Sequence, residues 1–263
     1  MEQSIATSQI FNADCLEKMK DLDDSSVDLI FCDLPYGQTT CKWDSLIDLE
    51  QFWIQVMRIK KLNTPIFFTT TTKFGVSLIQ SAPKKCFFRY DLVWVKSAPA
   101  GFLCAKKMPM RKHEMVYVFY EKLPFYDLSS HKHKFLKEDK QVIKQESKEE
   151  SKEGLAYKPS FCQKDNADNQ YRKLGRKGGE SAYDPPLPTT MLEIKSTRGK
   201  HSTEKPVALM EWIFKYYSKE GDVILDPTMG SGSTGVACKE MNRNFIGIEM
   251  DKEIFKVAES RLQ

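Results

Sequence analysis

The sequence predicts an α/β fold in which helices cover a mostly parallel β-sheet. Near both ends of the chain, short apolar runs alternate with segments whose apolar residues recur at helical spacing. This alternation is typical of parallel sheets, because each parallel connection needs a crossover that is usually a helix. Two apolar runs also stop abruptly at the polar segments 33–36 (DLPY) and 226–232 (DPTMGSG). Buried strands end in this way where they deliver loops at the carboxyl edge of a sheet.

The amino-terminal elements follow from the spacing of apolar residues. Helical spacing predicts helices over 16–22, 48–60 and 74–80. Runs rich in β-branched and aromatic residues predict four strands. These strands cover 27–32, 65–70, 87–96 and 115–120.

The carboxyl-terminal elements alternate in the same way. Helices are predicted over 207–217, 234–241 and 253–262. Strands are predicted over 222–225 and 244–249. Strand–helix alternation on both flanks implies one parallel sheet built from the two ends of the chain.

Between these flanks the apolar pattern is lost over 128–199. Residues 137–155 are charge-dense, which is typical of a flexible, solvated insertion. The alternative is a module that faces DNA, because basic side chains suited to phosphates follow the charged segment. These side chains are Lys158, Arg172, Lys173, Arg176 and Lys177. The predicted organisation is therefore a first half-domain over 1–127, an insert over 128–199 and a second half-domain over 200–263.

Composition limits the class of protein. Among the 263 residues 41% are hydrophobic, and the net charge of +4 permits a nucleic-acid partner without requiring one. The seven cysteines form no C-x-x-C pair, which favours reduced thiols and gives no metal-ligand spacing. The start lacks the apolar region of a signal peptide, and no run is long enough to span a bilayer. We expect a soluble, cytoplasmic protein with no membrane partner and no metal.

The segment 222–241 predicts a strand, a glycine turn and the start of a helix. Gly230, Gly232 and Gly235 satisfy G-x-G-x-x-G, and the Glu249 carboxylate ends the next predicted strand, where ribose hydroxyls could donate to it. A nicotinamide oxidoreductase would contain the same glycines. Asp226 distinguishes the two interpretations. A carboxylate at this position would repel the pyrophosphate of a nicotinamide dinucleotide, whereas it would attract the ammonium and sulfonium groups of S-adenosylmethionine. We therefore expect S-adenosylmethionine as the cofactor.

The segment Asp33-Leu34-Pro35-Tyr36 could hold an amino group attached to a flat ring. Such a nitrogen is a poor nucleophile, because its lone pair is delocalised into the ring. The Asp33 carboxylate and the main-chain carbonyl of residue 34 could accept its two hydrogens, and Tyr36 could stack on the ring for about 1–3 kcal/mol. The alternative is a plain tight turn with Pro35 at its first corner. Its place after an apolar strand, with a cofactor loop downstream, favours the catalytic interpretation.

In this order, the two segments resemble the β class of DNA amino-methyltransferases, whose motif order is circularly permuted. The chain is similar to this family's D-P-P-Y, D-P-F-x-G-S-G-T and H-P-T-x-K-P elements, from which it departs at Leu34, Thr228 and Ser202. The resemblance covers nearly all of the chain outside 128–199. It implies a Rossmann-like S-adenosylmethionine-dependent methyltransferase with a mostly parallel seven-stranded sheet. The first half-domain would be catalytic, the insert would recognise the target, and the second half-domain would bind the cofactor.

The resemblance also implies roles for individual residues. The catalytic residues would be Asp33, Leu34, Pro35 and Tyr36. The cofactor would contact Asp14, Cys15, Asp33, Thr203, Lys205, Pro206, Asp226, Pro227, Thr228, Gly230, Ser231, Gly232 and Glu249. Lys96 and Arg111 would border the DNA cleft, together with the basic residues of the insert. Two alternatives stay open: Asp14 could be a plain helix cap, and Arg111 could simply pair with Glu114.

The resemblance implies methyl transfer to the exocyclic N6 of a flipped-out adenine in double-stranded DNA. Asp at the first position of the tetrapeptide is usual for adenine enzymes, whereas serine is common in cytosine N4 enzymes. Cytosine N4 is the nearest alternative, followed by a permuted RNA adenine methyltransferase and, from another class, a nicotinamide oxidoreductase. Members of this family often form dimers, and a restriction endonuclease is a further expected partner.

Overall fold

The computed structural model describes residues 6–35, 47–134, 181–196 and 204–263. The chain divides into two compact units. The larger combines Met1–Asp127 with Thr190–Gln263, and the smaller is Leu128–Thr189.

The described part of the larger unit contains an eight-stranded sheet. Its strands are β1 (Ser8–Asn12), β2 (Leu29–Cys32), β3 (Ile66–Thr70), β4 (Phe87–Ala100), β5 (Arg111–Tyr120), β8 (Met191–Leu192), β9 (Val223–Asp226) and β10 (Asn244–Glu249). Their order across the sheet is β1-β10-β9-β2-β3-β5-β4-β8. Only β5 runs against its neighbours, pairing antiparallel with β3 and β4, whereas the other pairs are parallel.

Six helices accompany the sheet in the described residues. They are α1 (Cys15–Met19), α2 (Leu49–Ile59), α3 (Thr72–Ser81), α4 (Val207–Tyr217), α5 (Ser233–Glu240) and α6 (Lys252–Leu262). Aspartates begin three of them: the side chains of Asp14, Asp48 and Asp251 accept backbone N–H groups of the first turn. These caps satisfy donors that have no partner inside a helix.

The predicted α/β fold with a mostly parallel sheet is confirmed. The described sheet has one strand more than the resemblance implied, because β8 pairs with the outer edge of β4. Strands β1 and β8 were not predicted from the apolar pattern, since β1 is largely exposed and β8 has only two residues. No helix among the described residues has the length and apolar character needed to cross a membrane.

Apolar packing fixes the middle of the sheet and therefore residues 33–35, which directly follow β2. Ile30, Cys32 and Leu34 belong to a buried cluster that also contains Trp53 and Phe68. Trp53 packs edge-on against Phe68 with ring centroids 5.6 Å apart, and its indole N–H donates to Ser81 Oγ at 3.1 Å. A close-packed surrounding of this kind gives the carboxyl end of β2 a defined position.

The chain reverses its direction of progress across the sheet between β9 and β2. From β9 the chain continues through α5 to β10 on one side, whereas from β2 it continues through α2 to β3 on the other. Ligands of open α/β sheets bind in the crevice outside the carboxyl ends of the strands at such a switch point. Asp226 ends β9 and Asp33 follows β2, so the two carboxylates flank this position.

In the smaller unit, two short strands, β6 (Lys132–His133) and β7 (Tyr183–Asp184), pair antiparallel. His131 is buried, and its Nδ1 lies 2.9 Å from the carbonyl oxygen of Pro185. This contact gives the histidine a structural role. The five basic residues predicted to contact DNA from the insert lie outside the described residues, so target recognition by this region stays a prediction.

Candidate active site

Four carboxylates follow four adjacent strands at the same edge of the sheet. Asp14 follows β1, Glu249 ends β10, Asp226 ends β9 and Asp33 follows β2. Burial raises the pKa of Asp226, and the negative charges of Asp33 and Glu249 raise it further, so these three groups lie close enough to interact. A row of carboxylates at the switch point suits a ligand that carries positive charge.

Among the described residues, side chains from two other elements hold the Asp33 carboxylate. The Thr69 hydroxyl, on β3, donates to Oδ1 of Asp33. The ammonium of Lys205, which lies just before α4, donates to Oδ2 at 2.5 Å. Donors on both oxygens restrict rotation of the carboxylate and fix its orientation.

The ion pair of Asp33 continues into strands β5 and β4. Lys205 Nζ lies 3.4 Å from Glu114 Oε1, and Glu114 Oε2 pairs with Lys96 Nζ at 2.6 Å. Burial lowers the pKa of Lys205, but the charges of Asp33 and Glu114 outweigh it, so the pKa is raised and the side chain stays an ammonium. Lys96 and Lys205, rather than Arg111, are the ion-pair partners of Glu114.

The described segment after β2, residues 33–35, is anchored by the side chain of Leu34. This residue is 2% exposed and belongs to the apolar cluster beneath the sheet edge. A proline in its place would restrict φ, whereas leucine fixes this position through burial. Pro35 is half-buried, and Tyr36, the predicted stacking residue, lies outside the described residues.

Asp226 is the most deeply buried carboxylate of the four. It is 2% exposed, and it accepts hydrogen bonds from the Thr234 hydroxyl at 2.5 Å and the Thr228 backbone N–H at 3.1 Å. Burial raises its pKa to about 7 in spite of these donors. A buried carboxylate without a cation is costly to ionise, so the position favours a positively charged ligand.

The glycine turn leaves room for a ligand at its first glycine. Gly230 has φ +54°, and a Cβ built there would meet nothing within 4 Å. Gly232, the residue just before α5, also lies in the left-handed region, with φ +82°. A Cβ at Gly235 would meet the ring of Phe245 at 2.7 Å, so this glycine serves packing between α5 and β10.

The Thr228 hydroxyl is buried without a hydrogen-bond partner among the described residues, which leaves a polar atom for a ligand beside the turn.

Glu249 is tied to the turn by its own carboxylate. Its Oε2 accepts the Gly230 N–H at 3.1 Å, and its Oε1 accepts the Asp251 N–H at 2.7 Å. Each carboxylate oxygen has a second lone-pair site. Glu249 can therefore hold the turn and still accept two ligand hydroxyls.

Asp14 caps α1, as its alternative interpretation predicted. The N–H groups of Leu16 and Glu17 both donate to Oδ1, at 2.8 and 3.1 Å. Oδ2 takes no part in the cap, so capping and a cofactor contact are compatible. Cys15, the first residue of the helix, is buried beneath this end of the sheet.

A second ion pair joins the segment before α4 to the glycine turn. Glu204 Oε1 accepts from Arg261 at 2.9 Å and from the Ser233 hydroxyl at 3.2 Å. Arg261 also donates to the Ser231 backbone oxygen and hydroxyl, both at 2.9 Å. This network fixes Lys205, adjacent to Glu204, relative to the cofactor loop; Thr203 lies outside the described residues.

The residues of these networks that were not predicted include Thr69, Glu114, Glu204 and Arg261. Thr69 lies near the carboxyl end of the strand beside β2, a position that could have identified it. Glu204 directly precedes Lys205 within the H-x-x-x-K-P segment. Arg261 comes from the last helix, and no local sequence signal marks it. Among the described residues, no group of three or more His, Cys, Asp or Glu side chains could hold a metal ion.

Comparison with known proteins agrees with this geometry. The family model for N6/N4 DNA methylases matches residues 27–260. The type II methyltransferase M.HinfI of Haemophilus influenzae is 26% identical over 97% of this chain and 68% of its own length. M2.MboI of Moraxella bovis is 23% identical over 96% of this chain and 86% of its own length. The match to M2.DpnII of Streptococcus pneumoniae is stronger but local, with 49% identity over 27% of this chain and 26% of that protein.

Solved structures show the same fold. The complex of M1.HpyAVI with S-adenosylmethionine superposes with a TM-score of 0.61 at 24% identity, covering 97% of this chain and all of that chain. The cytosine-N4-specific PvuII methyltransferase superposes with a TM-score of 0.64 at 13% identity, covering 99% of this chain and 88% of that chain. The family predicted from the two motifs is confirmed: the chain belongs to the N6/N4 family of DNA methylases.

Proposed function

We propose that this protein transfers a methyl group from S-adenosylmethionine to the exocyclic N6 of an adenine extruded from double-stranded DNA. The observation that carries the proposal is the arrangement of Asp33 and Asp226. One carboxylate is held at the mouth of the switch point by Thr69 and Lys205, and the other is buried at the end of the neighbouring strand β9. The first suits a target amine, and the second suits a cationic cofactor.

The residues present fit S-adenosylmethionine. Asp226 can neutralise positive charge, Glu249 can accept ribose hydroxyls, and the open left-handed turn at Gly230 permits a close approach of the ligand to the backbone. We propose that Asp14 Oδ2 accepts from the cofactor's adenine amino group and that the Thr228 hydroxyl is a further polar contact. When bound, S-adenosylmethionine supplies an electrophilic methyl group.

The chain's own contribution to the reaction is to orient and polarise the target nitrogen. Asp33 and the carbonyl of Leu34 accept the two amino hydrogens, which draws the nitrogen lone pair out of conjugation with the ring. Tyr36 stacks on the extruded base and offsets part of the few kcal/mol that extrusion costs. Methyl transfer to the nitrogen forms the C–N bond and breaks the methyl–sulfur bond, whose electron pair stays on sulfur. The methylated nitrogen is then cationic and acidic, and it loses a proton to Asp33 or to water.

Lys205 gives Asp33 a fixed place before the target arrives. Preorganised polar groups contribute to catalysis because they do not have to reorient as charge develops. The chain of ion pairs from Asp33 through Lys205 and Glu114 to Lys96 contains two carboxylates and two ammonium groups, so it is electrically balanced. We infer that Lys205 positions the catalytic carboxylate in addition to bordering the cofactor.

Adenine is favoured over cytosine by Asp33, the first residue of the tetrapeptide. The fold of the cytosine-N4-specific PvuII enzyme keeps cytosine N4 as the second candidate. Both targets are aromatic amines that need similar hydrogen-bond acceptors. Identification of the methylated nucleoside distinguishes them.

Incubation with methyl-labelled S-adenosylmethionine and mixed-sequence unmethylated duplex DNA, followed by nucleoside analysis, tests the proposal. We expect the label in N6-methyladenine. Label in N4-methylcytosine would retain the mechanism and change the base. An absence of label in DNA, with label recovered from RNA or from neither, would contradict the proposed substrate.

Replacing Glu249 with alanine is expected to weaken S-adenosylmethionine binding by about 100-fold. The reason is the loss of charge-assisted hydrogen bonds to ligand hydroxyls, each worth about 1.5–3 kcal/mol at most, together with loosening of the turn at Gly230. Titration calorimetry measures the change. Glu253→Ala, which removes an exposed carboxylate paired with Lys256, is the matched control, and equal affinity of the two variants would remove Glu249 from the site.

The proposed partners extend beyond the DNA substrate. A cognate restriction endonuclease is proposed because several relatives are type II methyltransferases. A homodimer is proposed because members of this family often form dimers. Sedimentation of the purified protein measures whether it is a dimer.

A further inference from the structure

The hairpin formed by β4 and β5 extends beyond the carboxyl edge of the sheet. Thr70, at the carboxyl end of β3, pairs with Met115, and Met115 pairs with Val93. The residues between these two positions, 94–114, therefore lie past the end of β3. At about 3.3 Å per strand residue, the paired part alone reaches roughly 10 Å beyond the sheet.

The base of this hairpin is connected to the catalytic carboxylate. Glu114 on β5 and Lys96 on β4 form an ion pair, and Glu114 also pairs with Lys205, which holds Asp33. The hairpin thus extends from the carboxyl edge of the sheet, where the target base is proposed to bind.

The tip of the hairpin is apolar and strongly exposed. Phe102 and Leu103 are 82% and 98% exposed, and Met108 is 60% exposed. The tip is an ordered turn, because Cys104 and Ala105 donate backbone hydrogen bonds to the carbonyls of Gly101 and Phe102 at 3.0 Å each. An ordered turn that presents large apolar side chains to solvent is typical of a binding surface.

The charge of the tip favours one class of partner. From Ser97 to His113 every residue is exposed, and the segment contains Lys106, Lys107, Arg111 and Lys112 but no Asp or Glu. Duplex DNA offers phosphates to these cations and stacked bases to the apolar side chains. A symmetric contact between two copies through their tips would instead oppose two clusters of positive charge.

We propose that the hairpin tip is a DNA wedge, in which Phe102 and Leu103 enter the base stack next to the target while Lys106 and Lys107 contact the flanking phosphates. Apolar side chains inserted between base steps unstack them, and here they occupy the space that the extruded base leaves. This proposal rests on the proposed methylation of duplex DNA. It assigns a DNA-binding role to a segment that lies outside the proposed sites for the cofactor and for the target amino group.

The test compares the double variant F102A/L103A with Leu123→Ala. Leu123 is 75% exposed and follows β5 at the opposite edge of the sheet, so it is a matched apolar control. Turnover of unmethylated mixed-sequence duplex DNA is measured with methyl-labelled S-adenosylmethionine. We expect F102A/L103A to lower kcat at least tenfold with KM changed less than threefold, and Leu123→Ala to stay within twofold of the wild type.

A second pair of variants tests the cations. K106E/K107E is expected to raise KM for DNA at least tenfold and to weaken its dependence on salt, because fewer phosphate contacts are made. Lys122→Glu, at the opposite edge, should leave KM within twofold. Thermal unfolding and calorimetric S-adenosylmethionine affinity should be unchanged in all variants, since the substituted side chains are exposed.

Two outcomes would contradict the wedge proposal. In the first, F102A/L103A methylates duplex DNA with the kcat of the wild type. In the second, the wild type sediments as a dimer and F102A/L103A as a monomer with a proportional loss of activity, which would assign the tip to contact between copies. A wild-type protein that labels no DNA nucleoside is a different result and contradicts the proposed function itself.

Discussion

Replacing Asp33 with alanine is expected to lower methyl transfer by about 10³-fold or more while leaving S-adenosylmethionine affinity within a few-fold. The carboxylate is preorganised by Thr69 and Lys205, and removal of one such group at a reacting centre costs about 10²–10³ in rate. Here the loss is larger, because the variant also leaves the Lys205 ammonium facing the target amine. Like charge beside a nitrogen that becomes cationic opposes the reaction.

Single-turnover labelling of duplex DNA and calorimetric titration of S-adenosylmethionine measure the two quantities separately. Asp33→Asn tests charge at constant size and is expected to be nearly as inactive as Asp33→Ala. Asp24→Ala is the control, since Asp24 is an exposed carboxylate paired with Arg58 on the surface. Turnover of Asp33→Ala at the rate of the Asp24 variant would show that the mechanism is wrong.

The fold was largely predictable because its elements carry strong apolar periodicity. The helix over Val207–Tyr217 and the strand over Asn244–Glu249 were predicted with their observed bounds. The exposed edge strand Ser8–Asn12 and the two-residue strand Met191–Leu192 were not, since neither buries an alternating face along its length. Their formation depends on backbone pairing with distant partners, β10 and β4, which local patterns do not encode.

The candidate site was predictable where its chemistry lies in contiguous motifs. Asp33, Asp226 and Glu249 come directly after or at the ends of apolar strands, and Gly230 lies in the turn after β9, so parallel topology places them at one edge. The contacts that hold Asp33 were not predictable, because Thr69 and Lys205 approach it from strand β3 and from a segment 172 positions away in sequence. Lys205 was predicted as a cofactor contact from its motif, and that role stays a prediction. The ion pair with Asp33 supports the proposed positioning role.

A pH dependence of cofactor binding is the second large effect expected. Burial raises the pKa of Asp226 to about 7, hydrogen bonds from Thr234 and Thr228 lower it partly, and the charges of Asp33 and Glu249 raise it again. A cationic cofactor binds the ionised carboxylate best. S-adenosylmethionine affinity should therefore fall about tenfold for each pH unit below 7, and calorimetry between pH 5.5 and 7.5 measures this slope.

Asp226→Asn should remove that slope and weaken binding at pH 7.5 by about 100-fold or more, because the buried negative charge is lost while the side chain keeps its size. The matched control is Asp222→Asn, whose carboxylate lies at the amino end of the same strand and accepts the Lys219 N–H. A wild-type affinity that is flat across this pH range, or an Asp226→Asn variant that binds as tightly as the control, would separate Asp226 from the cofactor.

The same carboxylate predicts how the stability of the ligand-free protein changes with pH. Because the pKa of Asp226 is raised from 3.8 to about 7 on folding, its contribution to the free energy of unfolding is fully present below pH 4 and is lost as pH rises through 7. Each pKa unit corresponds to about 1.4 kcal/mol, so the loss is on the order of 4 kcal/mol. Asp226→Asn is therefore expected to be more stable than the wild type at pH 8 and no more stable at pH 4, as measured by urea unfolding. Such a variant would gain stability and lose its cofactor through the same substitution, which is the behaviour expected of a charge that is buried for binding rather than for folding.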